Sequence, residues 1–174
     1  MDYSRLLSRK AQEMRPSGIR KFFDIAAEME DCISLGVGEP DFKTPWAIRE
    51  AGITSLERGR TRYTSNSGLK ELRAEACRYL ERRMDLHYTP DQVLITVGGS
   101  EAIDLCIRAL IEPGDEVILP EPCYVSYQPI TTLTGGVPVS IPLKPENGFR
   151  LTAEELRAAI TPRTKLLVLP FPCN

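Results

Sequence analysis

One histidine, His87, is all the imidazole these 174 residues carry. A serine or cysteine nucleophile with a histidine base would rest on it alone, which disfavours that chemistry. Its surroundings, Met84-Asp85-Leu86-His87-Tyr88-Thr89-Pro90, read as the loop after a helix and mark it as a surface or packing residue. The five cysteines, Cys32, Cys77, Cys106, Cys123 and Cys173, are odd in number and form no C-x-x-C pair. Neither a disulfide framework nor a metal site is expected; they read as buried free thiols of a reducing compartment. An excess of one charge is lacking too, with a formal net charge of −2. Basic residues alternate with acids on the expected helix faces, so neither nucleic acid nor an anionic membrane surface is an expected partner. No apolar run approaches the roughly 20 residues that span a bilayer. The polar, charged start over residues 1–14 does not read as a signal peptide, so a cytoplasmic location is expected.

What remains is a composition with 42% hydrophobic and 26% charged residues, that of a globular chain long enough for a real core. Its most informative stretch is Val93-Leu94-Ile95-Thr96-Val97-Gly98-Gly99-Ser100-Glu101-Ala102. The apolar, β-branched run reads as a buried strand. Two glycines follow, then Ile103, Cys106, Ile107, Leu110 and Ile111 at helical spacing. A strand, a glycine turn and a helix start make a site for an anion, because first-turn N–H groups and the helix dipole favour negative charge. Ser100 either caps that helix or offers its hydroxyl to the anion.

Taken in order, the pattern predicts helices over 1–13, 19–29 (apolar side Phe22, Phe23, Ala26, Ala27) and 44–58, the last with Thr44 as N-cap and Pro45 at the first helical position. A polar loop over 59–68 precedes an amphipathic helix over 69–83, whose inner face is Leu69, Leu72, Ala76, Tyr79 and Leu80. Strands are predicted over 116–120, 137–141 and 165–169, the second nearer an edge because of Pro138. Between them lie a helix over 125–133, stopped by Gly135-Gly136, and a helix to Ile160 opened by the capping box Thr152-Ala153-Glu154-Glu155. Alternating strands and helices predict an α/β fold with a mainly parallel sheet and flanking helices. Ligands of such sheets bind beyond the carboxyl ends of the strands. The loops 98–101, 121–124 and 171–174 all follow strand ends and are expected to converge.

Two nucleotide readings fail on their own motifs. The turn Gly98-Gly99-Ser100-Glu101 lacks the third glycine of G-x-G-x-x-G, and G-x-x-x-x-G-K-[ST] is absent. The set of loops does resemble a family. Ser34-Leu35-Gly36-Val37-Gly38-Glu39-Pro40-Asp41-Phe42 is similar to the S-L-G-x-G-E-P-D-F signature of class I/II aminotransferases of pyridoxal phosphate fold type I. Tyr63-Thr64 with Gly68 resembles Y-T-x-x-x-G, and the 93–102 stretch resembles the T-x-G-x-x-E-A phosphate loop. Pro120-Glu121-Pro122-Cys123-Tyr124 resembles P-x-P-x-[WYF], and Pro170-Phe171-Pro172-Cys173-Asn174 resembles the start of P-x-x-P-x-N-P-T-G.

The resemblance implies an aminotransferase that moves an amino group from an amino acid to a 2-oxo acid, with pyridoxal 5′-phosphate as cofactor and a homodimer with shared sites. Gly99, Ser100 and Glu101 would hold the cofactor phosphate, Tyr124 would stack on the pyridine ring, and Asn174 would donate to its phenolic oxygen. Tyr63 would reach the phosphate of a neighbouring subunit, and Gly38 would present its N–H to the substrate carboxylate. Residues 1–44 would be an N-terminal arm and small-domain segment, and 45–174 the N-terminal part of the cofactor-binding large domain. The lysine that forms the Schiff base is expected outside this chain, because Lys165 stands at the start of a strand and Lys70 lies on an exposed helix face. The chain therefore reads as the N-terminal portion of an aminotransferase. The alternatives are a non-catalytic remnant that binds the cofactor or a partner, and a lyase or synthase of the same fold.

Overall fold

The computed structural model describes residues 5–14, 18–33 and 40–171. Its helices are α1 (Arg9–Glu13), α2 (Ile19–Ala27), α3 (Trp46–Glu57), α4 (Lys70–Met84), α5 (Gly99–Leu110), α6 (Tyr127–Thr134) and α7 (Ala153–Ala159). Its strands are β1 (Glu116–Glu121), β2 (Val137–Pro142) and β3 (Thr164–Leu167). The chain forms two compact units, one made of Met1–Gly38 and Gly99–Asn174, the other of Glu39–Gly98.

In the first unit the three strands pair in the order β2-β1-β3, all parallel. This is the expected α/β arrangement, and Pro138 does lie on a strand at the edge of the described sheet. Side chains alternate across a strand, so Val117 and Leu119 face one side of β1 and Ile118 and Pro120 the other. All four are fully buried. On the first side, Ile107 and Ile111 of α5 and its extension join Val117, Leu119 and Ile130 of α6 in one core cluster. Within α5 the buried stripe is the row of Ile103, Ile107 and Ile111, spaced by four, whereas Cys106 and Leu110 flank it and stay exposed. Helix α6 contains Pro129, harmless in a first turn, and Thr131, Thr132 and Thr134. Three threonines cost roughly 1.5 kcal/mol of helix propensity together, and burial of Ile130 offsets about that much.

A proline in a central strand needs an explanation, because it cannot donate to a ladder. The carbonyls of Asp115 and Glu121 accept bonds from β2 and its extension (Val137 N, 2.8 Å; Leu143 N, 2.7 Å). The carbonyl of Ile118 accepts from Val168 N (3.1 Å), on the β3 side. Pro120 shares the parity of Ile118, so its missing N–H falls on the β3 side, where it would have donated the next rung. That is why β3 ends at Leu167 rather than reaching 169, and why Leu169 is exposed.

The amino-terminal ends of β1 and β3 are tied by a charge. The Glu116 side chain is only 4% exposed. It accepts from Thr161 Oγ1 (2.6 Å), Thr164 Oγ1 (3.3 Å), and Arg163 Nη2 (2.6 Å) and Nε (3.0 Å). A buried carboxylate costs several kcal/mol unless it is met this way. The Thr161 hydroxyl foremost, and then Arg163, hold Glu116 below the ordinary carboxylate range against the opposing effect of burial. The capping box also forms as expected: Glu155 N donates to Thr152 Oγ1 (3.2 Å) and Thr152 N to Glu155 Oε2 (3.0 Å).

In the second unit, α4 turns a different face inward from the one expected. Cys77 is buried and Arg73 and Leu80 are half-buried, while Leu69, Leu72 and Tyr79 are exposed. The reason is its partner: Arg73 Nη1 donates to Pro90 O (2.7 Å), fixing α4 against the 3₁₀ turn Pro90–Gln92. The expected strand over 93–97 does not form. Val93 has extended dihedrals (φ −114°, ψ 129°), but the run joins no ladder, and Val97 is 91% exposed. Its Ile95 N donates instead to Ser67 O (3.1 Å). A strand exists only by pairing, which local residue character does not supply.

Other expectations need smaller corrections. Helix α1 is confined to Arg9–Glu13 and α2 stops at Ala27, with Phe22 exposed. Pro45, not Thr44, occupies the N-cap position of α3, without a side-chain cap. Of the cysteines only Cys77 is buried; Cys123 is intermediate, Cys32 and Cys106 are exposed, and Cys173 lies outside the described residues. Among the described residues no helix is long and apolar enough to cross a membrane.

Two outcomes test this packing. Glu116→Gln is expected to lower the thermal midpoint at neutral pH. Because the folded-state pKa of Glu116 is depressed, its contribution is complete above the unfolded value of about 4.3 and fades as pH falls through the folded value. Unfolding scans across acid pH should therefore show wild type and variant converging. Gly68 has φ +92°, and a Cβ there would lie 2.6 Å from Ile95 Cβ and Cγ1. Gly68→Ala should destabilise by more than about 1 kcal/mol in denaturant unfolding.

Candidate functional site

Helix α5 opens at Gly99, directly after Gly98, whose φ of +83° admits little but glycine. A Cβ added at Gly98 or Gly99 would meet nothing within 4 Å, so the backbone at this helix start is open to approach. The first-turn N–H groups of a helix have no intrahelical acceptor and sit at the positive end of its dipole. Ser100 was expected to cap the helix or to serve an anion. It is the second residue of α5, inside the helix rather than before it. Its Oγ lies 3.0 Å from the hydroxyl of Tyr124.

Tyr124 stands beyond the carboxyl end of β1, in the loop that follows the cis peptide Glu121–Pro122. It is 43% exposed, so its ring still offers a face. The ring of Tyr127 packs edge-on against it, with centroids 5.6 Å apart and planes at 82°. The hydroxyl of Ser100, and next that of Ser126, hold the Tyr124 phenol below the ordinary tyrosine range. At the last residue of β1, Glu121 Oε1 accepts from Ser140 Oγ of β2 (2.9 Å). Tyr127 and Ser126 were not anticipated; the three-residue spacing from Tyr124 to Tyr127 was the available signal.

Two of the three loops expected to converge thus meet, through Ser100 and Tyr124. The third ends in residues 172–174, so Asn174 lies outside the described residues, as does Gly38. Tyr63 belongs to the second unit and is fully exposed. It borders a hollow of about 940 Å³ whose lining includes Arg58, Arg60, Arg62 and Lys70. Among the described residues no group of three or more His, Cys, Asp or Glu side chains could hold a metal.

Residues 30–174 match the family model described as aminotransferase class I and II. The chain belongs to this family. It is 53% identical over 169 residues to a putative aminotransferase, YugH, of Bacillus subtilis, covering 97% of this chain and 44% of that protein. To an aspartate aminotransferase of Pyrococcus abyssi it is 42% identical over 169 residues, covering 97% and 43%. Among solved structures, an aspartate aminotransferase of Thermus thermophilus with maleate superposes with a TM-score of 0.88 at 40% identity, over 95% of this chain and 45% of that one. The chain spans less than half the length of these relatives. The sheet and flanking helices are accordingly part of a fold type I aminotransferase domain.

Class I and II aminotransferases depend on pyridoxal phosphate, and the residues present fit that group. An open glycine turn at a helix start suits a phosphate dianion. The Ser100 hydroxyl adds a donor, and the exposed Tyr124 ring offers a flat apolar face for a pyridine. If the hydrogen bond to Ser100 depresses the Tyr124 phenol, Ser100→Ala should raise its ionisation midpoint. Ultraviolet titration of tyrosinate, with Tyr124→Phe as the reference that isolates this residue, checks the direction.

Proposed function

We propose that the protein carrying this chain is a pyridoxal phosphate-dependent aminotransferase that passes an amino group from an amino acid to a 2-oxo acid. The observation that carries the reading is the meeting of Ser100 and Tyr124 at the start of α5, in a chain of this family. The backbone N–H groups of Gly99, Ser100 and Glu101, with the Ser100 hydroxyl, bind the cofactor phosphate. Tyr124 would stack on the pyridine ring and keep water from that face. Asn174 donates to the ring's phenolic oxygen, and Gly38 N–H holds the substrate carboxylate. Tyr63 reaches the phosphate of a second copy in a homodimer with shared sites, and the basic lining of its hollow, Arg58, Arg60 and Arg62, favours an anion there.

When bound, pyridoxal phosphate supplies the electron sink that the reaction at the substrate Cα requires. The chain's own part is anchoring and orientation. No lysine of these residues is assigned to covalent attachment of the cofactor. Lys165 lies 3.7 Å from Asp115, which precedes β1, and so belongs to the end of the sheet opposite Tyr124. Residues 1–44 form the N-terminal arm and a small-domain segment, and 45–174 the first part of the large domain. The setting is amino acid metabolism in the cytoplasm. Relatives bear names as different as aspartate/prephenate and aromatic-amino-acid aminotransferase, so the substrate is assigned by class.

The test is a donor panel. The full-length protein is incubated with pyridoxal phosphate, one L-amino acid at a time and 2-oxoglutarate. Glutamate formation with at least one donor is the expected result. No turnover with any donor or 2-oxo acid, together with no change in the cofactor's absorbance on mixing, would overturn the reading.

A further inference from the structure

The hydroxyl of Tyr124 has no part in stacking, since a phenylalanine would present the same face. Yet it sits 3.0 Å from the one side-chain hydroxyl at the start of α5. A serine hydroxyl carries a single hydrogen and can both accept and donate. Of the two, the phenol is the stronger acid and the better donor. The neutral phenol, as donor, directs its O–H to Ser100 Oγ and leaves the serine's own hydrogen for an acceptor at the helix start. Donation the other way, from Ser100 to the ionised phenol, is what lowers its pKa. Accepting one hydrogen bond also strengthens the bond a hydroxyl donates. The edge-on contact with Tyr127 fixes the direction of the Tyr124 ring, so the phenol is held where Ser100 needs it.

We infer that Tyr124 is a positioning residue for the cofactor phosphate, acting through its hydroxyl on Ser100, in addition to presenting its ring face. The inference rests on the pyridoxal phosphate reading above. It assigns the hydroxyl a task that a phenylalanine at this position could not perform.

Affinity for two ligands tests it in the full-length protein: pyridoxal phosphate, and pyridoxal, which keeps the ring and lacks the phosphate. Tyr124→Phe should weaken pyridoxal phosphate by about three- to tenfold, the effect of one ordinary hydrogen bond, and leave pyridoxal within about twofold of wild type. In the Ser100→Ala background, Tyr124→Phe should have no further effect. In Ser100→Thr, which retains a hydroxyl, the sensitivity to Tyr124→Phe should return. Equal losses for both ligands would show that the phenol serves the ring face or the packing, and would overturn the inference. So would an unchanged affinity for pyridoxal phosphate, or additive losses in the double variant. A wild-type protein that binds neither ligand would instead remove the cofactor reading, and this inference with it.

Discussion

A strand hydrogen-bonded on both edges and covered on both faces has no side left for water, and β1 is in that position. Val117, Ile118 and Leu119 have no solvent access at all. Everything polar that the strand must carry is pushed to its two ends. At the amino end, the one charge drawn inside is Glu116, met by two hydroxyls and a guanidinium. At the carboxyl end, the chain leaves the sheet at Glu121 and delivers Tyr124. The parallel order β2-β1-β3 keeps these ends distinct, since every strand points the same way. A structural ion pair and a partly exposed aromatic face are thereby kept apart along the length of one strand.

Pro120 sharpens that separation. It leaves the β2 side of the ladder intact and removes a donor on the β3 side alone. The sheet therefore stops pairing there just before the loop that bears Tyr124. On the other side of the site, Gly98 before α5 and Gly99 at its start leave the first turn open, and Ser100 bridges to Tyr124. The result is a positive helix end, a hydroxyl pair and an aromatic face in one place. Each is a weak feature alone. Together, and in a chain of the class I and II aminotransferase family, they suit a phosphorylated aromatic cofactor.

Much of this was legible from local pattern. The strands read at 116–120 and 137–141, the capping box at Thr152 and Glu155, and the helix stop at Gly135 depend on residues within a few positions of one another. The five loop motifs were legible for a related reason, since each is a contiguous stretch, and together they resemble the family that residues 30–174 match. The reading of Ser100 was half legible. Its place at a helix start followed from the glycines, but its hydrogen bond to Tyr124 spans 24 positions and had no local signal.

The sequence by itself determined the alternation of strands and helices, the apolar character of β1 and the identity of the residues at the loop tips, because these follow from side-chain chemistry and short-range geometry. Only the tertiary structure decided which apolar runs are buried. The run 93–97 has strand composition and joins no ladder, because pairing needs a second segment. Helix α4 turns Arg73 and Cys77 inward in place of Leu72 and Tyr79, because the turn at Pro90–Gln92 accepts from Arg73. Cys106 stays exposed beside a buried Ile107, because the facing strand covers only one row of α5. Burial is a property of the partner as much as of the residue.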